Sequence, residues 1–360
     1  MSNKPMDWFA KTLLDWWQEH GRKDLPWQIN RTPYRVWISE VMLQQTQVKT
    51  AIPYFHRFLH RFPSVSQLSR ATEDEVLALW TGLGYYNRGR NLHRTAKILK
   101  SNHNGQLPKN IPDLMRLPGI GRSTAGAVLS LGYGISAPIL DANVKRVLAR
   151  FHAVSGLIGK SETEKELWSL AESHTPKHES MYSQAIMDLG ATLCASKSPS
   201  CGECPLKSRC VGFTNGNPGQ FPKKNKRKTK PERYARMFLL IDQSGRVLIE
   251  KRPPTGVWPS LWGPPEKSIC TKVSEFVGPF GLTPPNIENQ ESGSTITHTF
   301  SHFRLLIEPV YIYLKKKTRI RVDRNQYRWH SQGLESELGL SVVAKKLLAT
   351  IPSKSKIIND

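Results

Sequence analysis

Apolar positions keep one period through the first half of this chain and a different one through the second. Up to about residue 215 they recur at helical spacing, broken by short Pro and Gly turns. Near the start, Trp8, Thr12, Trp16 and Trp17 recur on such a spacing. Thr32 followed by Pro33 predicts a helix start, with threonine as N-cap and proline at the first helical position. That helix is expected to carry Val36, Trp37, Val41 and Val48. Further helices are expected over 75–80, 89–100 and 164–171, with no run of alternating strands among them. The stretch GFTNGNPGQFPKKNKRKTKPER then has no apolar period and the Gly, Pro, Asn and Lys content of a linker. After it come the strand-like runs RMFLLID, GRVLIEKR, STITHTFSHFRLLIEPVYIYL and RNQYRWH, with a closing helix near 340–350. The second half therefore reads as α+β with an antiparallel sheet. The expected division is an all-α domain at 1–215, a basic linker at 216–233, an α+β domain at 234–352 and a tail at 353–360.

Charge narrows the partners. The formal net charge of +23 and a pI near 9.9 point to a polyanion, nucleic acid before anionic membrane. No apolar run approaches the ~20 residues of a membrane span. The opening MSNKPMDWFAKTLLDWW is interrupted by charges and lacks a small-residue cleavage site, so a cytoplasmic protein is expected. Four of the five cysteines are bunched as Cys194-x6-Cys201-x2-Cys204-x5-Cys210. In a reducing compartment that spacing indicates a metal site, and ligand count alone fits zinc or a [4Fe–4S] cluster. Cys270 is expected to be an inert structural residue.

Chemistry concentrates in three stretches. In LPGIGRSTAGAVL a glycine turn, Gly119-Ile120-Gly121, enters an apolar helix and offers backbone N–H groups to an anion. No Walker lysine follows and no strand precedes it; a short helix over 113–117 does. Helix, hairpin and helix in that order resemble the helix–hairpin–helix motif, which holds a DNA phosphate without reading sequence. The plainer alternative is an ordinary turn between helices. GLGYYNRGRNL, at 82–92, is a local echo of the same turn. In PILDANVKRVLAR, Asp141 stands where a helix N-cap belongs. The helix dipole would hold such a carboxylate ionised, as a cationic sugar transition state requires. In PYRVWISEVMLQQTQV, Glu40, Gln44 and Gln47 are expected on one helical face. Trp37, Val41, Met42 and Leu43 around Glu40 are too apolar for a solvated turn, so its pKa should rise and fit it to donate a proton near neutrality.

These stretches, with LPWQINRTPYRVWISEVMLQQTQV, LWTGLGYYNRGRNL and the four-Cys loop, occur in the order seen in MutY, the adenine DNA glycosylase family, within the helix–hairpin–helix glycosylase superfamily. The resemblance covers almost all of residues 8–212, and FSHFRL extends it loosely into the second half. It implies that Glu40 protonates N7 of a flipped adenine and that Asp141 stabilises the resulting oxocarbenium ion. Leu25, Trp27 and Gln184 become candidates for the adenine pocket, and Gln44 and Tyr85 for wedges entering the duplex from opposite sides. Gly119 and Gly121 would grip the phosphate. The Cys loop would hold a [4Fe–4S] cluster, with Lys207 and Arg209 reaching phosphates.

Ser123 departs from the endonuclease III-like relatives, where a lysine attacks C1′ and leads to strand cleavage; serine cannot form that imine. A smaller departure is Ala142, where the family has glycine. The second domain resembles a Nudix fold, but PPEKSICTKVSEFVG lacks the carboxylate helix that hydrolysis needs. There Phe300, Ser301 and His302 look like the family's lesion-sensing turn, directed at 8-oxoguanine opposite adenine. The implied partner is double-stranded DNA containing an adenine mispair, bound by a monomer. The competing readings are a bifunctional endonuclease III-type glycosylase/lyase and a non-catalytic protein that binds DNA structure.

Overall fold

A computed structural model describes residues 6–223, 229–316, 318–320, 322–323, 325–331 and 338–351. Part of the basic linker and the tail expected at 353–360 lie outside the described residues. The chain forms two compact units, Met1–Arg70 with Asn91–Arg227, and Ala71–Arg90 with Lys228–Asp360. Among the described residues no helix is long and apolar enough to cross a membrane.

The first unit is helical. Its core gathers Phe9, Leu13, Val144, Leu148, Leu167, Ala185 and Leu189 from four helices, Trp8–His20, Ala142–Phe151, Ser161–His174 and Tyr182–Ala191. The first of these turns Phe9, Ala10 and Leu13 fully inward, while Trp8, Trp16 and Trp17 are only partly buried. The tryptophans thus flank the buried stripe, their indole edges remaining near water. Helix Pro33–Leu43 starts as expected, with Thr32 accepting a hydrogen bond from the Arg35 amide. It stops sooner than expected. Gln45 takes φ +57°, so Gln44 ends this helix and Gln47 precedes the next, Val48–Arg61. Gln47 therefore does not share the Glu40 face, and Val48 belongs to the following helix.

The hairpin follows the sequence closely. Helix Ile111–Met115 is capped by Asn110, Gly119 takes φ +79°, and Gly121 caps helix Arg122–Ala127. A side chain on Gly119 would face both that left-handed backbone and Asn91, whose Cβ would lie 2.8 Å away. The second helix continues into one π-helical turn, Val128–Gly132. A Cβ on Gly126 would come within 2.2 Å of the Pro138 carbonyl oxygen. The missing side chain lets the segment leading to Asp141 lie directly on the hairpin's second helix.

The second unit is built on a sheet of β1 (Glu232–Ile241), β2 (Val247–Lys251), β3 (Trp262–Gly263), β4 (Glu266–Ser268), β5 (Ile287–Ser292), β6 (Ile296–Thr299), β7 (Arg304–Leu314) and β8 (Tyr327–His330). The expectation of an antiparallel sheet needs correction. β1 and β7, the two longest strands, pair in parallel from Glu232↔Arg304 to Ile241↔Tyr313, while the remaining pairs are antiparallel. A parallel pair requires a long crossover, and the chain between these two strands supplies it. One face packs Phe238, Leu240, Leu248, Val310 and Ile312 against Phe276 and Phe280. The closing helix, Val342–Ala349, is capped by Ser341. Helix Glu73–Trp80, opened by a Thr72–Glu75 capping box, belongs to this unit although it lies in the helical half of the sequence.

Candidate active site

Glu40 sits in the last turn of helix Pro33–Leu43, beside the buried Trp37, Val41 and Met42. Burial removes water from its carboxyl and pushes its pKa up to about 8, and the charge of Asp141 adds to the rise. Asp141 is the N-cap of helix Ala142–Phe151. It accepts hydrogen bonds from the Val144 amide at 2.8 Å and the Asn143 side-chain amide at 3.1 Å. The expectation that its helix position alone holds it low needs amendment: burial raises its pKa, opposed by these bonds and by Arg146. Of the two carboxyls Asp141 ionises first, so its charge acts on Glu40. The result is a neutral acid near an anion at neutral pH, the division of labour that two unlike environments impose on one residue type.

Ser123 lies close in the chain path to Asp141. Its Oγ accepts a hydrogen bond from the Leu140 amide at 3.0 Å, tying the hairpin's second helix to the residue before Asp141. Gln44 approaches the same helix, its Nε2 lying 3.4 Å from Thr124 Oγ1. Gly119 and Gly121 are exposed at the hairpin.

Leu25 and Trp27 are buried at 8% and 6% exposure in the turn before helix Pro33–Leu43, with Trp27 edge-on to Phe55. Gln184 is buried and donates to Asp188 at 3.0 Å. Asp188, which the sequence reading passed over, organises this region. Its fully buried carboxylate also accepts from Trp17 Nε1 at 2.9 Å, the Arg22 amide at 3.0 Å, and Arg22 Nε at 2.8 Å and Nη2 at 2.6 Å. Removing the Arg22 side chain would leave that buried carboxylate without its ion-pair partner. The signal was present: a lone Asp in AIMDLGA, among apolar neighbours, merits the reasoning applied to Glu40.

Cys194, Cys201, Cys204 and Cys210 are half-buried free thiols. Among the described residues no three His, Cys, Asp or Glu side chains converge as a site for a metal ion. The sulfurs nevertheless lie within reach of one another's charge, and burial pushes Cys204 up to about 11. Backbone amides of Leu206, Gly212 and Phe213 bond to the Cys204 and Cys210 sulfurs. The buried Arg150, a second residue passed over, places Nη1 3.4 Å from Cys194 Sγ and donates to the carbonyls of Cys194, Ala195, Ser196 and Phe221. An all-sulfur donor set with N–H groups and a buried cation around it suits a thiolate-held cluster. Lys207 and Arg209 are exposed on the loop, lying over the rings of Phe213 and Trp8. Cys270 is exposed, so it is not a packing residue.

The remaining candidates lie in the second unit. Tyr85 is half exposed with φ +48°. Phe300, Ser301 and His302 form the turn between β6 and β7, closed by the Phe300 amide donating to the Phe303 carbonyl. Phe300 packs among Trp258, His298 and Phe303, while Ser301 and His302 are exposed. Lys230 Nζ donates to the Phe300 carbonyl at 2.6 Å. Where a Nudix hydrolase would need its carboxylate helix, Val273–Val277 carries a single carboxylate, Glu275, which accepts from the Lys272 amide.

The family described as HhH-GPD superfamily base excision DNA repair protein matches residues 38–173, and a NUDIX domain matches 236–350. A thermostable thymine-DNA glycosylase of known structure overlays on 57% of this chain and 95% of its own, with a TM-score of 0.52 and 27% identity. Hairpin, capped aspartate and helical unit together define a helix–hairpin–helix DNA glycosylase. The adenine DNA glycosylase of Buchnera aphidicola subsp. Acyrthosiphon pisum is 40% identical over 94% of this chain and 96% of its own length. That of Homo sapiens is 30% identical over 94% of this chain and 73% of its own. The chain belongs to the adenine DNA glycosylase family.

Proposed function

We propose that this protein excises adenine mispaired with 8-oxoguanine or guanine in duplex DNA and leaves an abasic site. The observation that carries the reading is Glu40, protonated up to about pH 8, with the earlier-ionising Asp141 close enough to act on it. Glu40 gives its proton to N7 of the flipped adenine. The C1′–N9 bond breaks with its electron pair leaving on the base, and the Asp141 carboxylate offsets the positive charge developing on the sugar. Water then adds hydroxide to C1′ and releases a proton. Flipping costs a few kcal/mol of stacking, offset by the pocket of Leu25, Trp27 and Gln184. The hydroxyl of Ser123, bonded by the Leu140 amide, has no amine to form an imine with C1′, so the strand stays uncut.

Gly119 and Gly121 would hold a phosphate through the hairpin amides, with Gln44 and Tyr85 entering the stack. Phe300, Ser301 and His302 would face 8-oxoguanine, the two exposed side chains making the contact. Cys194, Cys201, Cys204 and Cys210 would hold a [4Fe–4S] cluster, which when bound braces the loop presenting Lys207 and Arg209 to the DNA backbone. Iron and sulfide analysis of the purified protein tests that assignment; four irons per chain are expected.

The decisive test gives the protein a duplex with one adenine opposite 8-oxoguanine and reads strand breaks with and without hot alkali. Breaks only after alkali are expected. Breaks without alkali would mean a lyase, and none in either case a protein that only binds.

A further inference from the structure

Tyr85 is presented on a turn that should not stand alone. Gly82, Gly84 and Tyr85 take φ values of +101°, +74° and +48°, and the tyrosine is a side chain in a region that suits glycine. The turn is braced from beneath. Trp80 Nε1 donates to the Gly84 carbonyl at 3.1 Å, and Arg88 Nη2 donates to the Leu83 and Gly84 carbonyls at 3.2 and 3.1 Å. The Arg88 guanidinium lies 5.5 Å from the centres of both the Trp80 and Tyr85 rings.

That brace is fastened by residues far along the chain. Asp74, in the first turn of helix Glu73–Trp80, accepts from Lys251 Nζ at 3.1 Å to each oxygen and from Trp262 Nε1 at 3.1 Å. Trp262 is 1% exposed, so this bond is sheltered from water. On the other side of the turn, Tyr86 Oη donates to the Leu340 carbonyl and the Leu340 amide donates to Thr81 Oγ1, both at 3.3 Å. Arg90 Nη1 donates to the Pro254 carbonyl at 3.0 Å. All these residues lie in one compact unit, with the Phe300–His302 turn.

We propose that Lys251 and Trp262, acting through Asp74, are positioning residues for Tyr85. The Nudix-like sheet, which has no carboxylate helix for hydrolysis among the described residues, serves as the mount for the aromatic that enters the duplex. This inference rests on the reading of Tyr85 as an inserting residue. The probe is a duplex carrying a hydrolysis-resistant adenine analogue opposite 8-oxoguanine, bound by the full-length protein. Tyr85→Ala should weaken binding about tenfold, the worth of one lost stacking contact. Lys251→Met, which keeps the aliphatic stem, should reproduce most of that loss, and Asp74→Asn should do the same. In a Tyr85→Ala background Lys251→Met should add nothing, whereas independent sites would multiply their losses. Lys251→Arg should stay within about twofold of the wild type. Thermal melting of each variant separates lost positioning from lost folding. Wild-type affinity in Lys251→Met or in Tyr85→Ala, or losses that multiply, would overturn the inference. Adenine release by the wild-type protein is scored separately, so failure here leaves the excision reading distinguishable.

Discussion

Asp141 and Glu275 both stand at the start of a helix, the first as N-cap and the second in the first turn, one in each unit, yet their surroundings give them different chemistry. Asp141 is half-buried, bonded by the Val144 amide and the Asn143 side chain, and its charge reaches a second carboxyl on Glu40. Glu275 is exposed, accepts from the Lys272 amide, and is the only carboxylate of its helix. A carboxylate that favours a helix dipole is a structural device at either place. It becomes a chemical one where burial and a second carboxyl split their proton affinities.

The contrast has measurable consequences. Glu40→Gln should slow adenine release about 10²–10⁴-fold under single-turnover conditions while keeping duplex affinity, because it removes the acid and retains the shape. Wild-type release by this variant would take the acid role from Glu40. The wild-type rate should also respond to alkali. In the proposed mechanism Glu40 acts in its protonated form, so the rate should hold below about pH 8 and fall about tenfold for each pH step of one above it. A flat profile to pH 9 would contradict the raised pKa. Gly126→Ala should destabilise the helical unit by about 1–3 kcal/mol, because the new Cβ meets the Pro138 carbonyl on the path to Asp141. A lowered thermal midpoint together with slower release would show that this packing sets the Asp141 position. The smallest effect belongs to Glu275→Gln: stability within about 0.5 kcal/mol of wild type and adenine release unchanged. Slowed release there would erase the distinction between the two helix starts.

What the sequence made legible was local. The Thr32 cap, the hairpin glycines and the Asp141 cap depend on residues a few positions apart, and each stands where its neighbours imply. The apolar setting of Glu40 was readable for the same reason. The mixed sheet was not, since the parallel pairing of β1 with β7 joins strands separated by a long crossover, which alternation within one strand does not encode. Nor was the membership of Ala71–Arg90 in the second unit, because its ties run to Lys251, Pro254, Trp262 and Leu340. Asp188 and Arg150 escaped for a related reason: each looks like an ordinary helical charge until residues far along the chain close over it.

The bond from the Leu140 amide to Ser123 gives the serine a structural part beside the chemical one proposed for it. A lysine at this position brings donors where serine brings an acceptor, and the Leu140 amide loses its partner. An orphaned, sheltered amide costs about 1–3 kcal/mol. The serine thus fastens the residue before Asp141 to the hairpin through an acceptor that a lysine does not supply.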